Sequence, residues 1–138
     1  MNVVFDAGVV FSGAGWHGEA HRCLLAMAHR QVIAYATEET LKELRILLEG
    51  RGHKVKYPPV TTLNWYCNQV RVVDPSPLGK PRSRDAKDDP YLACALAARA
   101  KVIVSRNDDL LALEKPFGID IITPRLLLAR LARLTRSL

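Results

Sequence analysis

The sequence has few cysteines, and none is paired at a metal-binding or redox spacing. Its 138 residues include only Cys23, Cys67 and Cys94, without a C-x-x-C motif. Each lies among apolar or helix-forming residues, a setting typical of reduced, buried thiols in cytosolic proteins. We therefore expect a cytoplasmic protein and do not expect a cysteine nucleophile.

Long hydrophobic runs are also missing. The N-terminus has no basic flank and its apolar run ends at Asp6, which is unlike a secretory signal peptide. No later stretch approaches the roughly 20 apolar residues that a membrane helix requires. Gly8, Gly13 and Gly15 do not form the G-x-G-x-x-G motif of a dinucleotide-binding fold. We therefore expect no signal peptide, no membrane partner and no dinucleotide site.

Acidic residues are in the minority. The chain has 20 Lys and Arg against 14 Asp and Glu, which gives a formal net charge of +6 at pH 7. This balance suits an anionic partner such as nucleic acid, although a basic protein without such a partner has the same balance. At this length we expect one domain over residues 1–138, which buries roughly two-thirds of its unfolded surface.

Short apolar runs alternate with amphipathic segments along the chain. The runs are continuous rather than alternating in polarity, as in parallel strands that are covered on both faces. Strands that alternate with helices imply a parallel sheet between two helical layers. We expect strands at 3–5, 31–36, 70–73, 102–105 and 119–122, a glycine-rich loop at 13–18, and helices around 24–28, 38–49, 61–69, 91–100, 110–113 and from 124 onward.

The acidic residues that are present stand where strands should end and helices should begin. They are Asp6, Glu43, the cluster Asp85-Ala-Lys-Asp88-Asp89 and the turn Asn107-Asp108-Asp109. In open α/β sheets, sites form beyond the carboxyl ends of the strands, so Asp6 and Asn107 can face one crevice. Spacing alone does not bring Glu43 and Asp89 there. On a basic chain this pattern indicates a metal site on a protein that attracts polyanions, which points to a nuclease.

Each of these residues also has an ordinary structural interpretation. Asp88 and Asp89 fit as capping acids of the following helix, since Pro90 must lie in its first turn. Residues 107–109 fit a simple turn before a helix. His17 and His21 are spaced for a shared metal, but without a third ligand nearby they fit better as surface residues of a helix. The joint pattern, rather than any one residue, favours the metal site.

In this order the motifs resemble the PIN-domain family, in particular its toxin components of toxin–antitoxin pairs. The resemblance runs nearly the full length of the chain. It rests on Val-Val-Phe-Asp6, Thr-Leu-Lys-Glu43-Leu, Asp85-x-x-Asp88-Asp89-Pro-Tyr-Leu-Ala, Val-Ile-Val-Ser-Arg-Asn-Asp-Asp109-Leu-Leu and Ile-Ile-Thr-Pro.

The resemblance implies a fold, an activity and a set of site residues. The fold is an α/β three-layer sandwich with a central, mostly parallel sheet of four or five strands. The activity is Mg²⁺- or Mn²⁺-dependent cleavage of single-stranded RNA. The implied partners are RNA, a cognate antitoxin and a second copy of the chain. The implied metal ligands are Asp6, Glu43, Asp89, Asn107 and Asp109, with the four acids among them catalytic and with Asp85 and Asp88 in reserve.

Four basic residues lie close in sequence to these acids, and we expect them to hold the flanking phosphates. They are Arg82, Arg84, Lys87 and Arg106.

The chain departs from the family pattern in two places. Ala7 and Gly8 stand where the family has Thr-Asn after its first acid, so no hydroxyl or amide follows Asp6. Asn107 stands at the fourth acidic position, with one charge fewer. Two functions therefore remain open: an active ribonuclease, or a catalytically impaired module that binds RNA or a protein. A phosphoacceptor receiver fold is disfavoured. It requires an acidic pair at the first strand and a lysine at a late strand end, and the sequence has neither.

Overall fold

The computed structural model describes residues 1–51, 59–83 and 85–136. Arg84, one of the four predicted phosphate-binding residues, lies outside the described residues. The sequence predicts that Gly50-Arg51-Gly52 ends one helix and that Pro58-Pro59 opens the next, and of these residues Gly52 and Pro58 also lie outside the described residues.

The described residues form a five-stranded sheet in which every pairing is parallel. The strand order is β3-β2-β1-β4-β5, so the chain builds outward from β1 in one direction and then crosses back to β4 and β5. The strands are β1 (Asn2–Phe5), β2 (Ile33–Ala36), β3 (Arg71–Val72), β4 (Val102–Val104) and β5 (Asp120–Ile122). The fold is therefore the α/β class that the sequence predicts.

Helices connect the strands on both faces of the sheet. Two 3-10 turns, Ala86–Asp88 and Pro116–Gly118, complete the regular structure of the described residues. The helices are α1 (Ala7–Gly15), α2 (Glu19–Ala28), α3 (Glu38–Arg51), α4 (Pro59–Gln69), α5 (Asp89–Ala98), α6 (Asp108–Leu111) and α7 (Pro124–Arg136).

The side chains of the central strands divide the core into two layers. Val3 and Phe5 of β1 pack with buried residues of α1, α2, α3 and α7, whereas Val4 packs on the other face against α5 and α6. All three side chains are buried, which explains why β1 reads as a continuous apolar run rather than an alternating one. Burial of one such side chain contributes about 1.5–3 kcal/mol, so both layers stabilise the sheet.

The register of β1 and β4 sets the position of the polar residues that follow them. Phe5 pairs with Val104, so Asp6 and Ser105 are the next residues at the same edge of the sheet. Asp6 caps α1, because its side chain accepts a hydrogen bond from the backbone N–H of Val9 at 2.8 Å. A cap of this kind typically stabilises a helix by about 1 kcal/mol. Asp6 therefore has both a structural role and a position at the strand end.

The expected glycine-rich loop at 13–18 is wrong over its first half, because α1 continues through Gly15. The reason is close packing of α1 on α2. A Cβ atom at Gly13 would lie 2.5 Å from Leu24 Cδ1 and 3.0 Å from the carbonyl oxygen of Ala20. Gly13 is therefore a contact point between two helices, and only the segment around Trp16 is irregular.

The last helix begins as the sequence predicts. Leu126 donates its backbone N–H to Thr123 Oγ1 at 3.3 Å, and Pro124 occupies the first helical position. Arg130 of α7 forms an ion pair with Asp120 of β5 at 3.0 Å, which ties the helix to the edge strand. None of the helices in the described part of the chain is long and apolar enough to cross a membrane.

Candidate functional site

A polar cavity of about 550 Å³ opens at the carboxyl ends of β1 and β4. Its floor is formed by the first turn of α1, and α3 and the start of α5 contribute side chains to its walls. The polar side chains that line it are Asp6, Ser12, Glu43, Arg51, Asp88, Tyr91, Arg106 and Asn107, with Trp16 at one wall. The sheet topology therefore brings together acids that are 37 and 82 positions apart along the chain.

Asp6 is held rigidly at the bottom of this cavity. Its side chain accepts hydrogen bonds from the backbone of Val9 and from the hydroxyl of Ser105, a residue that is completely buried. Burial raises the pKa of Asp6, although the hydrogen bonds from Ser105 and Val9 and the charge of Arg106 oppose the rise. Burial therefore disfavours the ionised form of Asp6 unless a positive charge lies nearby.

Glu43 reaches the cavity through a hydrogen-bonded connection to α1. Tyr91 donates its phenolic O–H to Glu43 Oε2 at 2.8 Å, and the backbone N–H of Ala7 donates to the same phenolic oxygen at 3.1 Å. Burial raises the pKa of Glu43, the Tyr91 hydrogen bond opposes this, and the nearby charge of Asp6 adds to it. Tyr91 therefore orients Glu43 toward Asp6 and stabilises its ionised form.

Asp88 is the third acid of the cavity, and like Asp6 it is buried. It accepts hydrogen bonds from Asn107 Nδ2 at 3.1 Å and from Ser83 Oγ at 3.4 Å. Burial raises the pKa of Asp88 to about 6. The negative charges of Asp85 and Asp109 contribute to the rise, because they repel the ionised form of Asp88.

Asp88 also belongs to a compact group of three carboxylates. One oxygen from each of Asp85, Asp88 and Asp109 lies within 4.8 Å of the other two. Asp85 is exposed, Asp88 is buried and Asp109 is intermediate, so the group leads from the cavity to the surface. Hard oxygen ligands at this spacing suit Mg²⁺ or Mn²⁺.

Asn107 caps α6, and both ends of its amide have hydrogen-bond partners. Its Oδ1 accepts from the backbone N–H of Asp109 at 2.8 Å, and its Nδ2 donates to Asp88 Oδ1 at 3.1 Å. The residue thus lines the cavity as predicted, but it contacts Asp88 as a donor. An ionised carboxylate at this position could not make that contact.

Asp89 is not among the residues that line the cavity, whereas the adjacent Asp88 is. Asp89 accepts hydrogen bonds from the backbone N–H groups of Arg82 (3.2 and 3.3 Å) and Ser83 (2.8 Å). These bonds fix the preceding loop onto the start of α5. Helical geometry explains why Asp88 lines the cavity and Asp89 does not, because the side chains of adjacent residues at a helix N-terminus point about 100° apart.

The predicted phosphate-binding residues divide into two groups. Arg106 lines the cavity, and Lys87 lies near Glu43, where its charge opposes the rise that burial causes in the pKa of Glu43. The guanidinium carbon of Arg82 instead lies 4.8 Å from the centroid of the Phe117 ring. The same guanidinium group donates a hydrogen bond to the carbonyl oxygen of Leu78 at 3.0 Å. Arg82 therefore contacts Leu78 and Phe117, and it is not among the residues that line the cavity.

Three residues of the site are not among those that the sequence predicts. Ser105 has a usable signal, because it directly follows a buried strand at the same sheet edge as Asp6. Tyr91 reads as one more apolar residue of a buried helix, and its phenolic oxygen becomes meaningful only once Glu43 is placed. Arg51 reads as a helix end, yet it lines the cavity.

His17 and His21 stack on each other rather than joining the acids. Their ring centroids lie 4.7 Å apart, and His21 Nδ1 lies 3.0 Å from the carbonyl oxygen of Gly13. Within the described residues, Asp85, Asp88 and Asp109 are the only group of three or more His, Cys, Asp or Glu side chains whose ligand atoms all lie within 4.8 Å of one another.

Comparisons with known proteins give one family and one fold. The model of the PIN domain family matches residues 2–109, which include all the acids of the cavity. No curated protein matches the chain at a significant level. The chain is similar in fold to the crystal structure of PAE2754 from Pyrobaculum aerophilum, with a TM-score of 0.66 and 20% sequence identity. That likeness covers 96% of this chain and 90% of the other.

Proposed function

The chain belongs to the PIN domain family, whose members are in general metal-dependent nucleases, and we propose that it is an endoribonuclease that cleaves single-stranded RNA. The observation that carries the proposal is the convergence of Asp6, Glu43 and Asp88 on one cavity at the carboxyl ends of the central strands. Each of these three acids has a raised pKa, with burial as its main cause.

The chemistry of the donor set fits a divalent cation. Mg²⁺ and Mn²⁺ prefer carboxylate oxygen ligands, and the site offers these from Asp6, Glu43 and Asp88, with Asp85 and Asp109 adjoining Asp88. Once bound, such a cation neutralises charge on the phosphate and lowers the pKa of a bound water. Without it, the acids repel one another and hold protons at a higher pH than free carboxylates do.

The chain's own residues keep this donor set in place. Ser105 and Val9 orient the two oxygens of Asp6, Tyr91 orients Glu43, and Ser83 and Asn107 orient Asp88. Partners of this kind are worth ~10–100-fold in metal affinity or activity. An ionised carboxylate of this set also accepts the proton of the attacking water.

The charge of the cavity and the burial of its acids support a single-stranded nucleic acid as the substrate. Arg51 and Arg106 line the same cavity as the acids and can pair with phosphates on either side of the cleaved bond. Asp6 and Asp88 are only 8% and 4% exposed, so a scissile phosphate must enter the cavity to reach them. A flexible single strand can bend into such a recess, whereas a stiff duplex cannot do so without distortion.

The finer proposal is that this nuclease is the toxin of a toxin–antitoxin pair. It is supported by the resemblance of the sequence motifs and by an apolar groove of about 350 Å³ between α2 and α4, on which an antitoxin segment can dock. Co-purification of the chain with the product of an adjacent short reading frame, and loss of its toxicity on co-expression, test this proposal.

A non-catalytic binding module is the second candidate, and one observation favours it. Asn107 uses its amide in two hydrogen bonds, which is what a structural residue rather than a metal ligand does. Asn107→Asp separates the two candidates. A large gain in cleavage supports a weakened nuclease, while unchanged inactivity in a folded Asn107→Asp protein supports the module.

The proposed function is tested by incubating purified protein with single-stranded RNA, duplex RNA and single-stranded DNA of one sequence, with Mn²⁺ or EDTA. We expect Mn²⁺-dependent internal cleavage of the single-stranded RNA and slower cleavage of the other two. Equal cleavage of all three substrates would contradict the RNA assignment.

A further inference from the structure

Trp16 is the most exposed tryptophan that the structure describes, and it stands at the wall of the acid cavity. It is 51% exposed and follows the last turn of α1. An indole ring buries more apolar area than almost any other side chain when it finds a partner. Trp16 lines the same cavity as Asp6 and Arg106, so a ligand that contacts the indole can also reach the acids.

The indole ring of Trp16 packs against a buried residue rather than extending freely into solvent. Its ring meets the buried ring of Phe11 edge to face, with centroids 5.8 Å apart and an angle of 63° between the planes. The backbone N–H of Trp16 donates to the carbonyl oxygen of Ser12 at 3.0 Å. An edge-to-face contact leaves an indole face available, and a fixed ring loses little entropy on stacking.

A second, smaller pocket of about 180 Å³ adjoins this ring. It shares Ser12, Trp16 and Arg106 with the acid cavity, and Gly18, Glu19 and Ala20 complete its walls. The two pockets thus adjoin at Ser12, Trp16 and Arg106. A ligand with one part beside the acids can place its next part in the smaller pocket.

We propose that Trp16 and Arg106 form a subsite for one unpaired nucleobase next to the phosphate at which the RNA is cut. This inference rests on the proposed function. The base stacks on the indole of Trp16, and Arg106 holds the phosphate between that base and the acids. The subsite makes a base beside the cleavage position part of substrate recognition.

The charges of the pocket favour a base over other occupants. Arg106 brings one positive and Glu19 one negative charge, so the pocket suits a neutral ligand with donors and acceptors rather than a phosphate. Stacking of a base on an aromatic side chain is tolerant of sequence and requires an unpaired base. The subsite therefore also selects single-stranded over duplex RNA.

An abasic scan tests the subsite directly. The probe is a short single-stranded RNA in which one abasic position is moved along the sequence, with binding measured in EDTA to prevent cleavage. The protein carries Trp65→Phe, which leaves Trp16 as the single tryptophan and as the fluorescent reporter. We expect intact RNA to quench Trp16, and one abasic position to weaken binding about tenfold.

The matched variant is Trp16→Leu, which stays apolar against Phe11 but has no face for stacking. Its RNA binding is followed by the anisotropy of a dye on the RNA, in parallel with the parent protein. In the Trp16→Leu variant, an abasic substitution at the sensitive position should no longer weaken RNA binding, because the base has lost its stacking partner. Trp16→Phe keeps an aromatic face and should keep the dependence. If every abasic position weakens binding equally in the parent protein and in the Trp16→Leu variant, the subsite is overturned.

The scan also distinguishes failure of the subsite from failure of the proposed function. Metal-dependent cleavage without any coupling to Trp16 overturns the subsite and leaves the nuclease intact. Coupling to one base position without cleavage supports the subsite and overturns the nuclease. Absence of RNA binding at low salt overturns both.

Discussion

The Ser105 hydroxyl, at the end of β4, donates a hydrogen bond to Asp6 Oδ2, at the end of β1. Parallel pairing of Phe5 with Val104 places the two residues side by side. The sequence offers no hydroxyl directly after Asp6, since Ala7 and Gly8 follow it. Ser105 supplies from the neighbouring strand a hydroxyl partner that the adjacent positions lack.

Ser105→Ala should therefore weaken the site without unfolding the chain. Asp6 keeps its bond to the Val9 N–H but loses its hydroxyl donor, so we expect Mn²⁺ affinity and cleavage to fall ~10–100-fold. Thr135→Ala, which removes a hydroxyl bonded to the Leu131 carbonyl on α7, is the control. Titration of each protein with Mn²⁺ by calorimetry makes the comparison, and equal affinities would remove Ser105 from the site.

Asp88 and Asp89 are adjacent but should respond oppositely to substitution. Asp88→Asn relieves repulsion from Asp85 and Asp109, so the metal-free protein should melt at a higher temperature while Mn²⁺ binding is lost. Asp89→Ala removes the acceptor of two backbone N–H groups, so it should cost about 1 kcal/mol of stability and leave Mn²⁺ binding nearly unchanged.

Thermal melts in EDTA and calorimetric titration of Mn²⁺ measure both effects. The reverse pattern, in which Asp89→Ala abolishes Mn²⁺ binding and Asp88→Asn does not, would restore Asp89 as the third acid of the site.

The stability of the metal-free protein should fall as pH rises through the range in which Asp88 titrates. The pKa of Asp88 is about 6 in the folded chain against an ordinary value of 3.8, so the folded state binds the extra proton between these values. Deprotonation then costs the folded state more than the unfolded state, and the free energy of unfolding decreases toward neutral pH. Mn²⁺ affinity should rise over the same range, because the cation competes with that proton.

Melting temperatures at pH 5 and pH 7.5, with EDTA and with Mn²⁺, test this prediction. Asp88→Asn is the control, since it should remove a large part of the pH dependence. If the Asp88-dependent stability of the metal-free protein increases toward neutral pH, the predicted direction of the pH dependence is wrong.

Tyr91→Phe tests the connection between α1 and Glu43. The variant loses the donor that stabilises ionised Glu43, so the pKa of Glu43 should rise further and the acidic limb of the pH–rate profile should move to higher pH. It also leaves the Ala7 N–H without its buried acceptor, which typically costs about 1–3 kcal/mol of stability. An unchanged pH–rate profile would show that Tyr91 acts only in packing.

The sequence is most informative where local signals agree with the fold. The buried strands β1 and β4, the start of the last helix at Pro124 and the position of Pro90 each follow from short-range chemistry, and the structure confirms them. The run through Gly13 reads as a loop but is helical. Its glycine serves a contact with Leu24, which is a property of two packed helices and cannot be seen in one segment.

The site is less predictable, because its members meet only across the sheet. Asp6 is visible as an acid at a buried strand end. The choice between Asp88 and Asp89 depends on which of two adjacent carboxylates turns toward the cavity, and the loop at 82–83 decides it by donating its N–H groups to Asp89. No pattern in the sequence encodes that choice.

Cleavage of single-stranded RNA by the purified protein with Mn²⁺, with EDTA, and with the Asp6→Ala variant tests the central claim most directly. The account predicts Mn²⁺-dependent cleavage that EDTA abolishes and that Asp6→Ala reduces to background, while Asp89→Ala retains it. A folded protein that does not cleave RNA in millimolar Mn²⁺, or cleavage that persists in Asp6→Ala, would contradict it.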